Sequence, residues 1–135
     1  MINIISYDEY LKTKKALSFE EMQALHREIA EEVGSDAEAM ELFDELIRTA
    51  TRYSRYRADW LLLDNNQKMD IDSSRTACHD SVITHVNMLA RYLKSIGKEA
   101  KWRDALGYEE EDPYNRKRIG DFACYLVFVN SLNAR

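Results

Sequence analysis

Four residues in the second half of the chain have the types and spacing to do chemistry: Arg75, His79, Asp80 and Asp121. Arg75 and His79 are four apart, and they share a helical stripe with Val82, Val86 and Leu89, so both point at or near a core. Asp121 opens the longest late apolar stretch of the chain, Phe122 to Ala134. A carboxylate in such a run needs a cation or several hydrogen-bond donors, and Arg75 or His79 is the expected partner. The plainest reading is a buried polar latch that ties two helices together. The functional reading of the same residues is a site.

If that site were a metal centre, its ligands would be His26, His79, Asp80 and Asp121. The order His, His-Asp, Asp resembles the pattern of the HD-domain phosphohydrolases. The resemblance implies helix-borne ligands holding divalent metals that activate water against a phosphate ester. The acidic first half of the chain offers a second metal reading. Glu28 and Glu31 are three apart on one expected helix, and Glu41 and Asp44 are three apart on the next. Two such pairs facing each other could hold Mg²⁺ through oxygen ligands. That arrangement resembles the all-α nucleoside triphosphate pyrophosphohydrolases, although Arg27 stands where the first of their paired glutamates belongs. The competing reading is a solvated acidic face, with Asp44 and Arg48 as an i, i+4 pair.

Arginine is interleaved with aromatics between Arg48 and Trp60. Arg48, Arg52, Arg55 and Arg57 could bind an anion or a partner protein, and Arg116, Lys117 and Arg118 could add to an anion site. Otherwise these arginines pair with the acids of the chain itself. Dinucleotide, P-loop, zinc-protease and C-x-x-C signatures are all missing from the sequence. Asp70-x-Asp72-x-Ser74 begins like a calcium loop but lacks its glycine and its closing glutamate.

These residues have to be positioned by helices. Ser18 with Glu21 makes a capping box, and Phe19, Met22, Leu25, Ile29 and Val33 follow as an apolar stripe that ends at Gly34. Ser35 with Glu38 makes a second box, so residues 18–63 read as an αα-hairpin whose second helix runs from about 36 to 63. The core face expected of that helix is Met40, Phe43, Ile47 and Ala50, widened by Leu46, Tyr53, Trp60 and Leu61. Residues 64–72 are polar and read as a loop. A third helix is expected from Ser73 or Ser74 to Gly97, with Val82, Val86, Leu89, Leu93 and Ile96 inward. A short helix follows with Trp102 as its plug. Asp112 and Pro113 then cap and start a last helix running to about Asn133. That helix is apolar on nearly every side, so it must be surrounded within the fold or by a second subunit. Gly120 within it predicts close contact with a neighbour.

The bulk numbers agree with this plan. The chain has 135 residues, four Gly, one Pro and a formal net charge of -5. One all-α domain over residues 1–135 follows, with four main helices and one or two short ones packed around the C-terminal helix, and residues 1–17 as a short helix or arm. The acidic balance argues against nucleic acid as a partner. The last apolar run is shorter than the roughly 20 residues that span a bilayer, and no export signal is seen at Met1 to Lys15. Cys78 and Cys124 read as reduced thiols, and a cytoplasmic protein is expected.

The stretches SSRTACHD, ARYLKSIG, WRDALG and RIGDFACYLVF resemble a family of small uncharacterised all-helical bacterial proteins. That resemblance covers about half the chain and carries no activity. The leading functional expectation is a non-enzymatic protein-interaction or regulatory domain, forming a homodimer and needing no cofactor. The alternative is a small phosphohydrolase or nucleotide pyrophosphohydrolase that uses a divalent metal.

Overall fold

The computed structural model describes residues 17–107 and 113–133, and among these the regular structure is entirely helical. Five helices pack together: α1 (Phe19–Val33), α2 (Ala37–Leu62), α3 (Asn65–Ser95), the short α4 (Lys101–Ala105) and α5 (Pro113–Asn133). The arm expected over residues 1–17, Leu17 apart, and the cap Asp112 lie outside the described residues. Among the described residues no helix is long and apolar enough to cross a membrane.

Local caps set most of the boundaries. Ser18 Oγ accepts from the Glu21 amide at 3.1 Å, while the Glu21 carboxylate accepts from the Ser18 amide at 3.2 Å. Both halves of the expected box are therefore present. Gly34 ends α1 at a φ of +51°, a conformation that costs glycine little. The second box differs from expectation. Asp36, not Ser35, caps α2, and its carboxylate accepts from the Ala39 amide at 3.0 Å. Gly34 and Ser35 are both used by the turn, and Tyr92 Oη donates to the same Asp36 carboxylate at 2.6 Å, which favours the later start.

The largest correction concerns residues 64–72. They are not a loop. Asp64 caps α3, accepting from the Gln67 amide at 2.8 Å, and the Gln67 side chain accepts from the Asp64 amide at 3.2 Å. This is a complete capping box, so α3 begins at Asn65 and its first turns are polar because they are exposed. The calcium-like run 70–74 is helical as well.

Leu63 and Asp64 fold α3 back along α2, and these two helices share the most extensive packing, followed by α2 with α5. The α2 core stripe is Ala39, Leu46, Ala50 and Tyr53, with Phe43 half-buried between them. Leu46, Ala50, Tyr53 and Phe43 lie on the expected face, but at its start Ala39 is buried in place of Met40, which is exposed. Leu61 and Ile96, also expected inside, are exposed near the ends of their helices. Val82, Val86, Leu89 and Leu93 are buried as their spacing predicts, and Trp102 is the plug at 1% exposure. α5 touches α1, α2 and α3. It buries Ile119, Phe122, Ala123, Tyr125 and Leu126, while Phe128 and Leu132 face out.

Candidate functional site

Continuing the α2 stripe one turn past Tyr53 reaches Arg57, which therefore points inward. Arg48, Arg52 and Arg55 lie about 140–180° round the helix from Arg57, and all three are exposed. Among the described residues none of these three forms an ion pair. Grouping them with Arg57, as the sequence suggests, joins opposite faces of one helix. Arg57 donates to Asp121 at 2.7 Å and sits 3.8 Å from the Cys124 sulfur. It thus supplies the cation that Asp121 was expected to draw from Arg75 or His79. Burial works against the Arg57 charge, but the hydrogen bond to Asp121 carries its pKa above the ordinary value.

Arg75 and His79 line the adjoining surface. The Arg75 guanidinium donates to Asp72 at 3.1 Å and lies 4.8 Å from the centre of the Trp60 ring, over which Lys68 Nζ also sits at 4.3 Å. Both contacts are cation–π pairs. The His79 ring meets Tyr53 edge-on, with centroids 5.0 Å apart. A Cβ on Gly120 would stand 2.7 Å from Tyr53 Oη and 3.3 Å from His79 Nε2. The glycine is what lets α5 approach this pair, as its place in the helix predicts. Burial pushes the Tyr53 hydroxyl above its usual pKa. Asp80 is exposed on α3.

Tyr53, Arg57, Trp60, Leu61, Arg75, Thr76 and His79 line a cleft of about 410 Å³ between α2 and α3. Arg57 and Leu61 also border a second, more open groove of about 570 Å³ between α1, α2 and α5. Its other walls include Phe19, Met22, Ala58, Cys124, Tyr125 and Phe128. Burial holds the Cys124 thiol above its usual pKa.

His26 lies away from this cluster, with its ring 6.1 Å from those of Phe43 and Tyr125, and burial lowers its pKa. Among the described residues no three His, Cys, Asp or Glu side chains are grouped so as to hold a metal ion. The Glu28 and Glu31 carboxylates border a shallow hollow with Glu32, Glu99 and Lys101. Glu32 itself is structural: it accepts from Trp102 Nε1 at 2.6 Å and from the Ala100 amide at 3.0 Å. Arg118 donates to the Ala105 carbonyl at 2.9 Å. The Arg116 and Lys117 side chains lie outside the described residues.

Fold and site together define an all-α bundle with a cationic, aromatic cleft on one side of Arg57 and an apolar groove on the other. No family model matches the chain, and no curated protein or solved structure is significantly similar to it.

Proposed function

We propose that this is a non-enzymatic interaction domain that pairs with a second copy of itself through the groove face of α1, α2 and α5. The carrying observation is the exposure around that groove. Phe19 is 55% exposed, Leu61 66%, Phe128 52% and Leu132 49%. Clustered large apolar side chains left in water mark an interaction surface. A second copy is the favoured partner because knob and hole occur on the same face. The exposed Phe128 borders a groove of about 570 Å³, and a two-fold pair would exchange the two reciprocally. A cytoplasmic setting goes with this reading, since Cys78 and Cys124 are both free thiols.

Sedimentation equilibrium tests it. At micromolar concentration the expected mass is twice the 15.8 kDa of the chain. Phe128→Asp puts a charge on an exposed position and is expected to leave a folded monomer. A monomeric parent chain overturns the pairing, and a dimeric variant overturns its location. The metal-dependent phosphohydrolase reading has no grouped ligands behind it among the described residues. Incubation with Mg²⁺ or Mn²⁺ and a panel of nucleotides is expected to give no turnover. Turnover lost in His79→Ala would restore that reading.

A further inference from the structure

We infer that the α2–α3 cleft is a binding site for a small oxyanion, a phosphate or carboxylate group presented by a small molecule. This rests on different observations from self-pairing, although Arg57 and Leu61 border both surfaces.

The first observation is an orphan donor. Arg75 Nε is buried and has no hydrogen-bond partner among the described residues, although the same guanidinium reaches Asp72 through its Nη2. A buried N–H on a permanent cation is costly to leave unmade, and an unpaired group of this kind calls for a missing acceptor. The guanidinium is a fork suited to two-point contact with a carboxylate or phosphate, and such charge-assisted bonds are about twice as strong as neutral ones.

The second observation is charge. Lys68 and Arg75 are both held against the Trp60 ring, at 4.3 and 4.8 Å from its centre. Two like charges on one ring repel each other, and a bound anion relieves that repulsion. The cleft lining carries two guanidinium groups, Arg57 and Arg75, and no carboxylate, although each also pairs with an aspartate beyond that lining, Asp121 and Asp72.

The third observation is shape. The cleft, about 410 Å³, falls in the size range of small-molecule sites. Tyr53 and His79 form its inner wall, and Thr76 adds a hydroxyl at the mouth. A metabolite-sized anion fits these walls. A nucleic-acid backbone, which needs a long basic track, does not.

Two-dimensional NMR of the intact protein tests the site, reading the Nε–H signals of arginines and the indole N–H signals of Trp60 and Trp102. Inorganic phosphate and malonate are titrated separately, each against sodium chloride at matched ionic strength. The expected result is saturable movement of the Arg75 and Trp60 signals with half-saturation at or below ~10 mM for at least one anion. Trp102, plugged under α4, stays still. Saturation by phosphate alone points to a phosphate ester, and saturation by malonate alone to a carboxylate. Arg75→Lys keeps the charge but loses the fork, and should weaken binding about tenfold. Arg91→Lys, on the exposed face of α3, leaves binding unchanged. Absent or non-saturating shifts, or shifts matched by chloride, overturn the proposal on the unaltered chain alone. Equal binding by Arg75→Lys removes the role of Arg75.

Discussion

At the end of the bundle where α1 meets α4, the half-buried Glu32 and Asp36 and the buried Arg103 each have partners within the chain. Glu32 accepts from Trp102 and Ala100, Asp36 accepts from Tyr92 and Ala39, and Arg103 donates to Asn87 and the Gly107 carbonyl. At the opposite end, where α2 turns into α3, Leu61, Leu62 and Met69 stand in water and Arg75 keeps an unpartnered Nε. The contrast is not one of helix capping, since Asp36 caps α2 at the first end and Asp64 caps α3 at the other. The difference lies in what the side chains face. One end spends its polar chemistry on holding the fold closed. The other leaves cations and apolar surface turned outward, which is where binding has to be sought.

The sharpest test of this contrast sets Trp102→Ala against Leu62→Ser. Trp102 is 1% exposed, fills the space under α4 and donates to the Glu32 carboxylate, so its loss leaves a void and removes one of the two donors to Glu32. Urea denaturation is expected to show a loss of about 3–5 kcal/mol. Leu62 is 85% exposed, and its replacement is expected to stay within about 0.5 kcal/mol of zero. Comparable costs at the two positions would break the comparison, because Leu62 would then be covered in solution.

Gly120→Ala should fall between them. Helix propensity alone favours alanine by about 1 kcal/mol. The new Cβ, however, would press on Tyr53 Oη at 2.7 Å and His79 Nε2 at 3.3 Å, and Tyr53 is buried. Overpacking of this kind costs about 1–3 kcal/mol, so net destabilisation is expected by the same denaturation measurement. A stabilised variant would mean that the wall formed by Tyr53 and His79 gives way easily.

The legible parts of this molecule were those written in short-range patterns. The Ser18–Glu21 box, the Val82, Val86, Leu89 and Leu93 stripe, the Trp102 plug and the close approach at Gly120 follow from spacing alone. The start of α3 was written just as clearly, in Asp64 and Gln67, but a run of polar residues resembles a loop whenever composition is weighed ahead of capping. Arg57 shows a different failure. Its register with Leu46, Ala50 and Tyr53 placed it inside, yet its three arginine neighbours drew it into an exposed group. The Asp121–Arg57 pair spans 64 residues of sequence, and no local pattern encodes which of several inward cations a carboxylate will meet. The same holds for Glu32 with Trp102 and for the stacking of Lys68 and Arg75 on Trp60.

The smallest expected effect probes the closed end by pH. Asp36 is held below its ordinary pKa first by the hydrogen bond from Tyr92 and then by the Ala39 amide, while Tyr92 is pushed from 10.0 up to about 12 by the same bond. For Asp36 the depressed value means that the contribution is present above pH 3.8 and is lost as pH falls through the lower folded value. For Tyr92 the raised value means that the contribution is complete below pH 10.0 and is lost between there and about 12. Tyr92→Phe cannot donate, so it should remove the alkaline loss due to this pair and shrink the acidic one, with Ala39 retaining part of it. Because the pair lies near solvent, both changes should be modest and should shrink further in high salt. The urea midpoint of parent and variant, followed across both pH windows, reads the difference directly. Parallel curves between pH 10.0 and about 12 would show that Tyr92 does not hold Asp36 in solution, and the closed end would then rest on Glu32, Trp102 and Arg103 alone.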